Sequence, residues 1–135
     1  VAENMIAWDI GGLSIYLPTD SGIAADGKFW IFYGTNFGNS RLAWLDASSR
    51  ALANMEVPYV RMRLAALDAA NRAYLCTGIG AAACLALDLE TKDAAWEVAL
   101  PAGSNGVGNA LIPGRLYVAS EDGWLHALGD AEAPQ

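Results

Sequence analysis

The stretch ALDLETKDAAW, residues 86–96, closes one apolar run on Leu87-Asp88 and opens another that ends on Trp96. Its neighbours along the chain make it one of a series. Leu45-Asp46 stands 42 residues earlier, and Asp130, in ALGDAE, stands 42 residues later. Aromatic residues recur in step: Trp30 in GKFWIF, Tyr74 in NRAYLC and Tyr117 in GRLYVA, 44 and 43 residues apart. Prolines that follow an apolar run, Pro18, Pro58 and Pro101, keep a similar spacing. A period of about 40 to 44 residues belongs to propeller blades or to helical arrays. Between the markers the segments are short, β-rich and cut by Gly, Asn, Asp and Ser, as in YGTNFGNSR, TGIGAAA and SEDGW. No apolar 3.6-residue pattern lasts as long as a helix needs; MRLAALDAANRAYL comes nearest, and its alanines are the whole of that signal.

The expected fold class is therefore all-β, with β-propeller blades of four antiparallel strands repeating about every 42 residues. Residues 1–18 supply C- and D-like strands of a preceding blade, LSIYLP at 13–18 being the D-like one. Residues 19–58 form a blade with strands at 20–26, 28–33, 41–46 and 51–57. Residues 59–101 form a second, with strands at 62–68, 72–77, 83–88 and 94–100. Residues 102–135 form a partial third, with strands at 107–112, 115–120 and 124–128. The ring is incomplete, since closed propellers use about four to eight blades. An open array exposes sheet edges, which proteins avoid, so a protein partner, self-association or further blades are expected to complete it. Exchange of the N-terminal strand between two copies would give a two-fold dimer. Trp30, Trp96 and Tyr117 are expected to be buried in the assembly.

The opening stretch resembles the tryptophan-docking motif of quinoprotein-type (PQQ-like) propellers, A-x-D-x-x-T-G-K-x-x-W. Ala86, Asp88, Thr91 and Trp96 stand at the motif's spacing, while Lys92 and Asp93 replace its Gly-Lys pair. The copy AWLDASSRALANM keeps Asp46 and puts Ser49 at the Thr position, with Asn54 where Trp belongs. AWDIGGLSIY keeps Ala7 and Asp9 and ends on Tyr16. GRLYVASEDGWLHAL is similar to the family's glycine–strand–turn–strand segment. The resemblance implies a blade array and not an activity. The residue types carry the same sense by themselves. Asp after a strand can bond its own turn two residues on, reinforced by Thr or Ser, and a Trp on the next strand fills space between blades. Asp9, Asp46 and Asp88 are read as turn residues and Trp96 as inter-blade packing.

The turn SEDGW places Ser120 opposite Trp124 and Ala119 opposite Leu125; carried back one repeat, that register sets Cys76 opposite Cys84. Directly opposed strand residues lie near disulfide reach, so the pair is either bridged or two buried free thiols. No zinc site is expected, because no further ligands lie nearby. The chain has one histidine, His126, on a strand in GWLHALG; a Ser-His-Asp site could use it, but a lone His at a repeat position reads as structural. Gly11-Gly12 and GSNGVGN at 103–109 lack the strand–loop–helix context of a phosphate loop.

A chain of 135 residues with 54% hydrophobic and 17% charged residues is globular rather than disordered. Its net charge of −7, with eight basic residues scattered singly, points away from nucleic acid. No apolar run approaches the roughly 20 residues of a membrane-spanning helix. The first residue is Val1, read as the mark of a removed leader or of excision from a longer chain. The expected function is a non-catalytic propeller scaffold or binding module of an exported or cell-envelope protein, periplasmic or extracellular. No catalytic residue, metal or cofactor is assigned, and the reading leans away from an enzyme. One alternative is a fragment of a PQQ-dependent dehydrogenase with its active site in missing blades, which alone would bring in PQQ. Another is a carbohydrate-binding propeller, motivated by five Trp and five Tyr.

Overall fold

Short apolar runs closed by tight turns build three antiparallel meanders. The computed structural model describes residues 17–34, 39–46, 51–57, 62–77, 83–101 and 109–129. The first sheet runs β1 (Leu17–Ile23), β2 (Phe29–Gly34), β3 (Ser40–Asp46) and β4 (Ala51–Val57). The second runs β5 (Met62–Leu67), β6 (Arg72–Thr77), β7 (Ala83–Asp88) and β8 (Ala94–Ala99). The third runs β9 (Ala110–Ile112), β10 (Arg115–Ala119) and β11 (Leu125–Gly129). Within each sheet spatial order follows chain order. The described residues contain no helix. β2, β6 and β10 start at Phe29, Arg72 and Arg115, 43 residues apart each time, so the sequence period is also the period of the sheets.

One turn design recurs. In 24–28, 68–72 and 120–124 the first residue's N–H bonds the last residue's carbonyl at 2.9–3.0 Å. The fourth residue is left-handed each time: Gly27 at φ 81°, Asn71 at 58° and Gly123 at 86°. Glycine meets that demand without strain, and Asn is among the few other residues that tolerate it.

The sheets stack face to face in chain order. Trp30, Phe32 and Leu42 of the first sheet meet Ala73, Leu75, Leu85 and Leu87 of the second in one apolar layer. Tyr74, Cys76, Cys84 and Ala86 meet Leu116 and Val118 of the third in another. Successive side chains of a strand point to opposite faces, so β6 and β7 feed both layers and are buried nearly throughout. β5 lies against β1 and β2 on one side and β9 on the other, which brings the first strands of the three sheets together. Polar links pin this seam. Asp20 accepts Arg63 Nε at 3.0 Å and the Leu64 N–H at 3.2 Å, and the buried Ser40 Oγ accepts the Met62 N–H at 3.0 Å. The Asp26 N–H donates to Asn71 Oδ1 at 2.9 Å, joining the hairpin turns of neighbouring sheets.

Two strands depart from expectation by three residues, the others by at most one. The strand expected at 20–26 is Leu17–Ile23, which takes Leu17 and Pro18 from the segment 13–18. The pairing with β2 shifts between Pro18 and Asp20, a local irregularity at a residue that has no N–H to donate. Asp26 and Gly27 belong to the turn, where Asp26 Oδ1 accepts the Lys28 N–H at 3.0 Å. The strand expected at 107–112 is the shorter Ala110–Ile112.

Gly129 pairs with Arg115 across β10–β11, and a methyl group there would overlap the Gly114 carbonyl oxygen. Gly114 is itself left-handed at φ 78° in the β9–β10 turn and cannot yield easily. Gly129→Ala is expected to lower stability by about 1–3 kcal/mol in urea titration. Gly22→Ala, which meets only the end of the Leu67 side chain, is expected to cost less.

Candidate functional site

The stretch 86–96 folds as β7, a closed turn and β8. The Asp88 N–H donates to the Asp93 carbonyl and the Lys92 N–H to the Asp88 carbonyl, both at 2.9 Å. Asp88 Oδ1 accepts the N–H groups of Glu90 at 2.8 Å and Thr91 at 3.0 Å, and Thr91 Oγ1 accepts that of Asp93 at 3.3 Å. The bonds from Thr91 and Glu90 hold the Asp88 carboxyl below its ordinary value. Lys92 is left-handed at φ 71°. It occupies the place where the motif it resembles has glycine, so the backbone asks for Gly where this chain has Lys. The Lys92 ammonium folds back to the carbonyls of Leu89 and Glu90, the latter at 3.2 Å.

That ammonium also caps an aromatic pair of the first sheet. It stands 5.3 Å from the Trp30 ring and 4.8 Å from the Trp44 ring, whose centroids are 4.9 Å apart. Such contacts are worth about 0.5–2 kcal/mol, more as the site dries. Trp30 is fully buried, and its indole N–H has no partner. Burial first, then repulsion from Lys28, pulls the Lys92 ammonium below its ordinary value.

The second sheet offers the third a matching pair: Tyr74 and Trp96, ring centroids 5.9 Å apart. The two pairs are built differently. In the first sheet Trp44 on β3 opposes Ala53 on β4; in the second Ala86 on β7 opposes Trp96 on β8. Large and small have exchanged places across the same strand pair. Asn54, at the motif's Trp position, instead accepts Arg41 at 2.7 Å. Tyr74 Oη donates to Asp68 Oδ2 at 2.9 Å, and burial followed by that carboxylate raises its pKa.

Tyr74 and Trp96 border a cleft of about 460 Å³ between the second and third sheets, with Arg72, Arg115, Leu111 and Leu128 around it. The cleft opens where β8, the fourth strand of the second sheet, has no fourth strand opposite it among the described residues. Trp96, at this cleft, and Tyr117, on the face of the third sheet turned away from the second, are only partly buried within the single chain, unlike Trp30.

Ala86 and Trp96 lie in the layer between the second and third sheets, while Asp88 and Thr91 hold the turn between β7 and β8. Asp46 ends β3 opposite Ala51, but its turn at 47–50 lies outside the described residues, as does Asp9. Gly11-Gly12 and most of the 103–109 loop also lie outside them. Cys76 and Cys84 pair directly across β6–β7, are fully buried, and are joined by a disulfide. No three His, Cys, Asp or Glu side chains gather to hold a metal among the described residues, and no helix there is long and apolar enough to cross a membrane.

His126 Nε2 lies 2.9 Å from Ser120 Oγ, a contact that looks catalytic until its wiring is followed. The hydroxyl donates its one proton to Asp122 Oδ1. Nε2 then serves as donor to Oγ, the reverse of what a base needs, and the carboxylate orients the serine rather than the imidazole. The hydrogen bond from Ser120 also holds the Asp122 carboxyl below its usual range. The group ties the 120–124 turn. No family model matches the chain, and no curated protein matches it.

Two outcomes test the turn. Lys92→Ala and Lys92→Gly both remove the ammonium, but only Gly relieves the left-handed strain. Lys92→Gly is expected to be the more stable by about 1 kcal/mol in chemical denaturation. The depressed pKa of Asp88 makes its contribution full above the unfolded value of about 3.8 and lost as pH falls through the folded one. Asp88→Asn is expected to flatten the acid limb of the stability–pH curve below about pH 4.

Proposed function

We propose that the chain is a run of β-propeller blades of the PQQ-like kind, acting as a non-catalytic scaffold or binding module of an exported or cell-envelope protein. One observation carries the reading. The exposed large apolar side chains sit where a further sheet would cover them. Ile23 and Phe29 lie on the face of the first sheet turned away from the second. Ile112 and Leu125 lie on the face of the third sheet turned away from the second, with Trp124 at its turn. Val98, the remaining one, faces the cleft. Exposed apolar faces of this kind mark interaction surfaces.

Further support comes from the common seam of β1, β5 and β9 and from the left-handed backbone at Lys92, at the motif's glycine position. The Cys76–Cys84 bridge suits an oxidising compartment. The reversed wiring of Ser120, His126 and Asp122 favours binding over hydrolysis.

Sheets of the same repeat are the surfaces that fit these faces, and in the isolated chain a second copy supplies them. Light scattering is expected to show a mass above 14.2 kDa that rises with concentration. Leu125→Lys, which sets a charge on the exposed edge strand, is expected to shift the chain toward monomer. A stable monomer with cooperative unfolding, indifferent to Leu125→Lys, would overturn the reading.

A further inference from the structure

We infer that the third sheet is a redox-sensitive latch over the Cys76–Cys84 bridge: the bridge is reduced only when that sheet lifts from the second, and its reduction loosens the sheet's seat. The device needs only the stacked order of the three sheets, whatever adjoins them.

The bridge joins opposed positions of β6 and β7, and both cysteines are fully buried. Their side chains stand in the layer between the second and third sheets, packed with Leu116 and Val118 of β10. The strands themselves close the other side, where Leu75 and Leu85 face the first sheet. A thiolate that attacks either bridge sulfur therefore needs β10 out of its way.

The two seams are held unequally. At the first, Trp30, Phe32, Leu42 and Val57 of the first sheet are buried. Three polar links join them there: Asp20 with Arg63, Ser40 with Met62 and Asp26 with Asn71. The Lys92 ammonium also reaches across to Trp30 and Trp44. At the second seam the third sheet contributes Leu116 and Val118 as buried side chains, with Leu111 and Leu128 only partly buried. A cleft of about 460 Å³ already parts the second and third sheets. It reaches Tyr74, two residues from Cys76 on the same face of β6, and Val98, which pairs with Cys84. Sheets in a stacked array can open one at a time, the least-held first.

The reductant is a dithiol. One of its thiolates attacks a bridge sulfur, the S–S bond breaks, and the departing cysteine sulfur takes a proton. The second thiol then displaces the cysteine that was attacked. Two electrons and two protons pass to the protein, and the dithiol leaves as a disulfide. Two thiols fill more space than one bridge, and at fully buried positions the closed seam fits them less well.

The oxidised, intact chain is placed in excess dithiothreitol without denaturant. Thiols are counted by intact mass after acid quench, unfolding and maleimide labelling. Leu116→Ala weakens the second seam and Leu42→Ala the first, and urea titration measures the stability each loses. Leu116→Ala is expected to speed reduction at least about tenfold, and Leu42→Ala less than about threefold. Equal acceleration means that the bridge is reached only by global unfolding, and overturns the latch. No acceleration by Leu116→Ala means that the third sheet does not guard the bridge, and overturns it as well. The urea dependence of the reduction rate gives a reading on the unsubstituted chain. A slope between zero and that of global unfolding is expected, and either extreme overturns the latch. In the reduced chain, amide exchange is expected to quicken at least about tenfold in β10 and β11 and to hold in β2 and β3. Unchanged exchange in β10, or equal quickening in β2, overturns the loosening.

Discussion

A strand buried on both faces has no position to give to water, and that condition governs the middle sheet. β6 and β7 send alternate side chains into two separate layers, so Ala73 and Leu75 serve one neighbour while Tyr74 and Cys76 serve the other. Every residue must then be apolar, or polar with its needs met, as the fully buried Thr77 is. Shape matters as much as polarity. Ala86 leaves the room that Trp96 fills from the next strand, and Ala53 does the same for Trp44. The outer sheets are under no such rule on their far faces, and the exposed Ile23, Ile112 and Leu125 show a surface suited to the same treatment.

Four of the chain's 15 acidic residues hold turns. Asp26, Asp68, Asp88 and Asp122 each stand at a hairpin end, where an Oδ1 accepts backbone N–H groups two to four residues on. A carboxylate does this better than a hydroxyl because the acceptor is charged. These four charges stand at the ends of the sheets, while the layers between the sheets are mainly apolar.

Strand positions and turns were legible from the chain because both rest on local physics. A left-handed turn residue wants Gly or Asn, and Gly27, Asn71 and Gly123 supply them. The pairing of Cys76 with Cys84 could be read because the SEDGW turn sets the register of one hairpin and the repeat carries it to another. The start of β1 was not legible: Leu17 and Pro18 read as the end of a preceding strand, while Asp20, already inside the expected one, is met there by Arg63 and the Leu64 N–H, more than 40 residues away. The two aromatic pairs were half visible. Motif spacing marked Trp96 but passed over Trp44, since exchanging large and small across a strand pair moves the tryptophan ten residues without moving the space it fills. The cleft lies where a four-stranded sheet meets a three-stranded one, a difference the expected partial blade already carried; that Tyr74 and Trp96 would border it was not legible.

The meander order within each sheet has a consequence for how the molecule assembles. Every strand pairs with its neighbour in the chain, so each sheet closes only short loops and can form early at small entropic cost. Stacking is the non-local step, and among the described residues the two apolar layers join each sheet to the one before and the one after, as in a linear array whose cooperativity passes between nearest neighbours. A lone sheet would hold its hydrogen bonds yet leave both apolar faces wet. Order in such an array can start in any sheet and pass to its neighbours, and a defect in the middle sheet uncouples the two ends from each other.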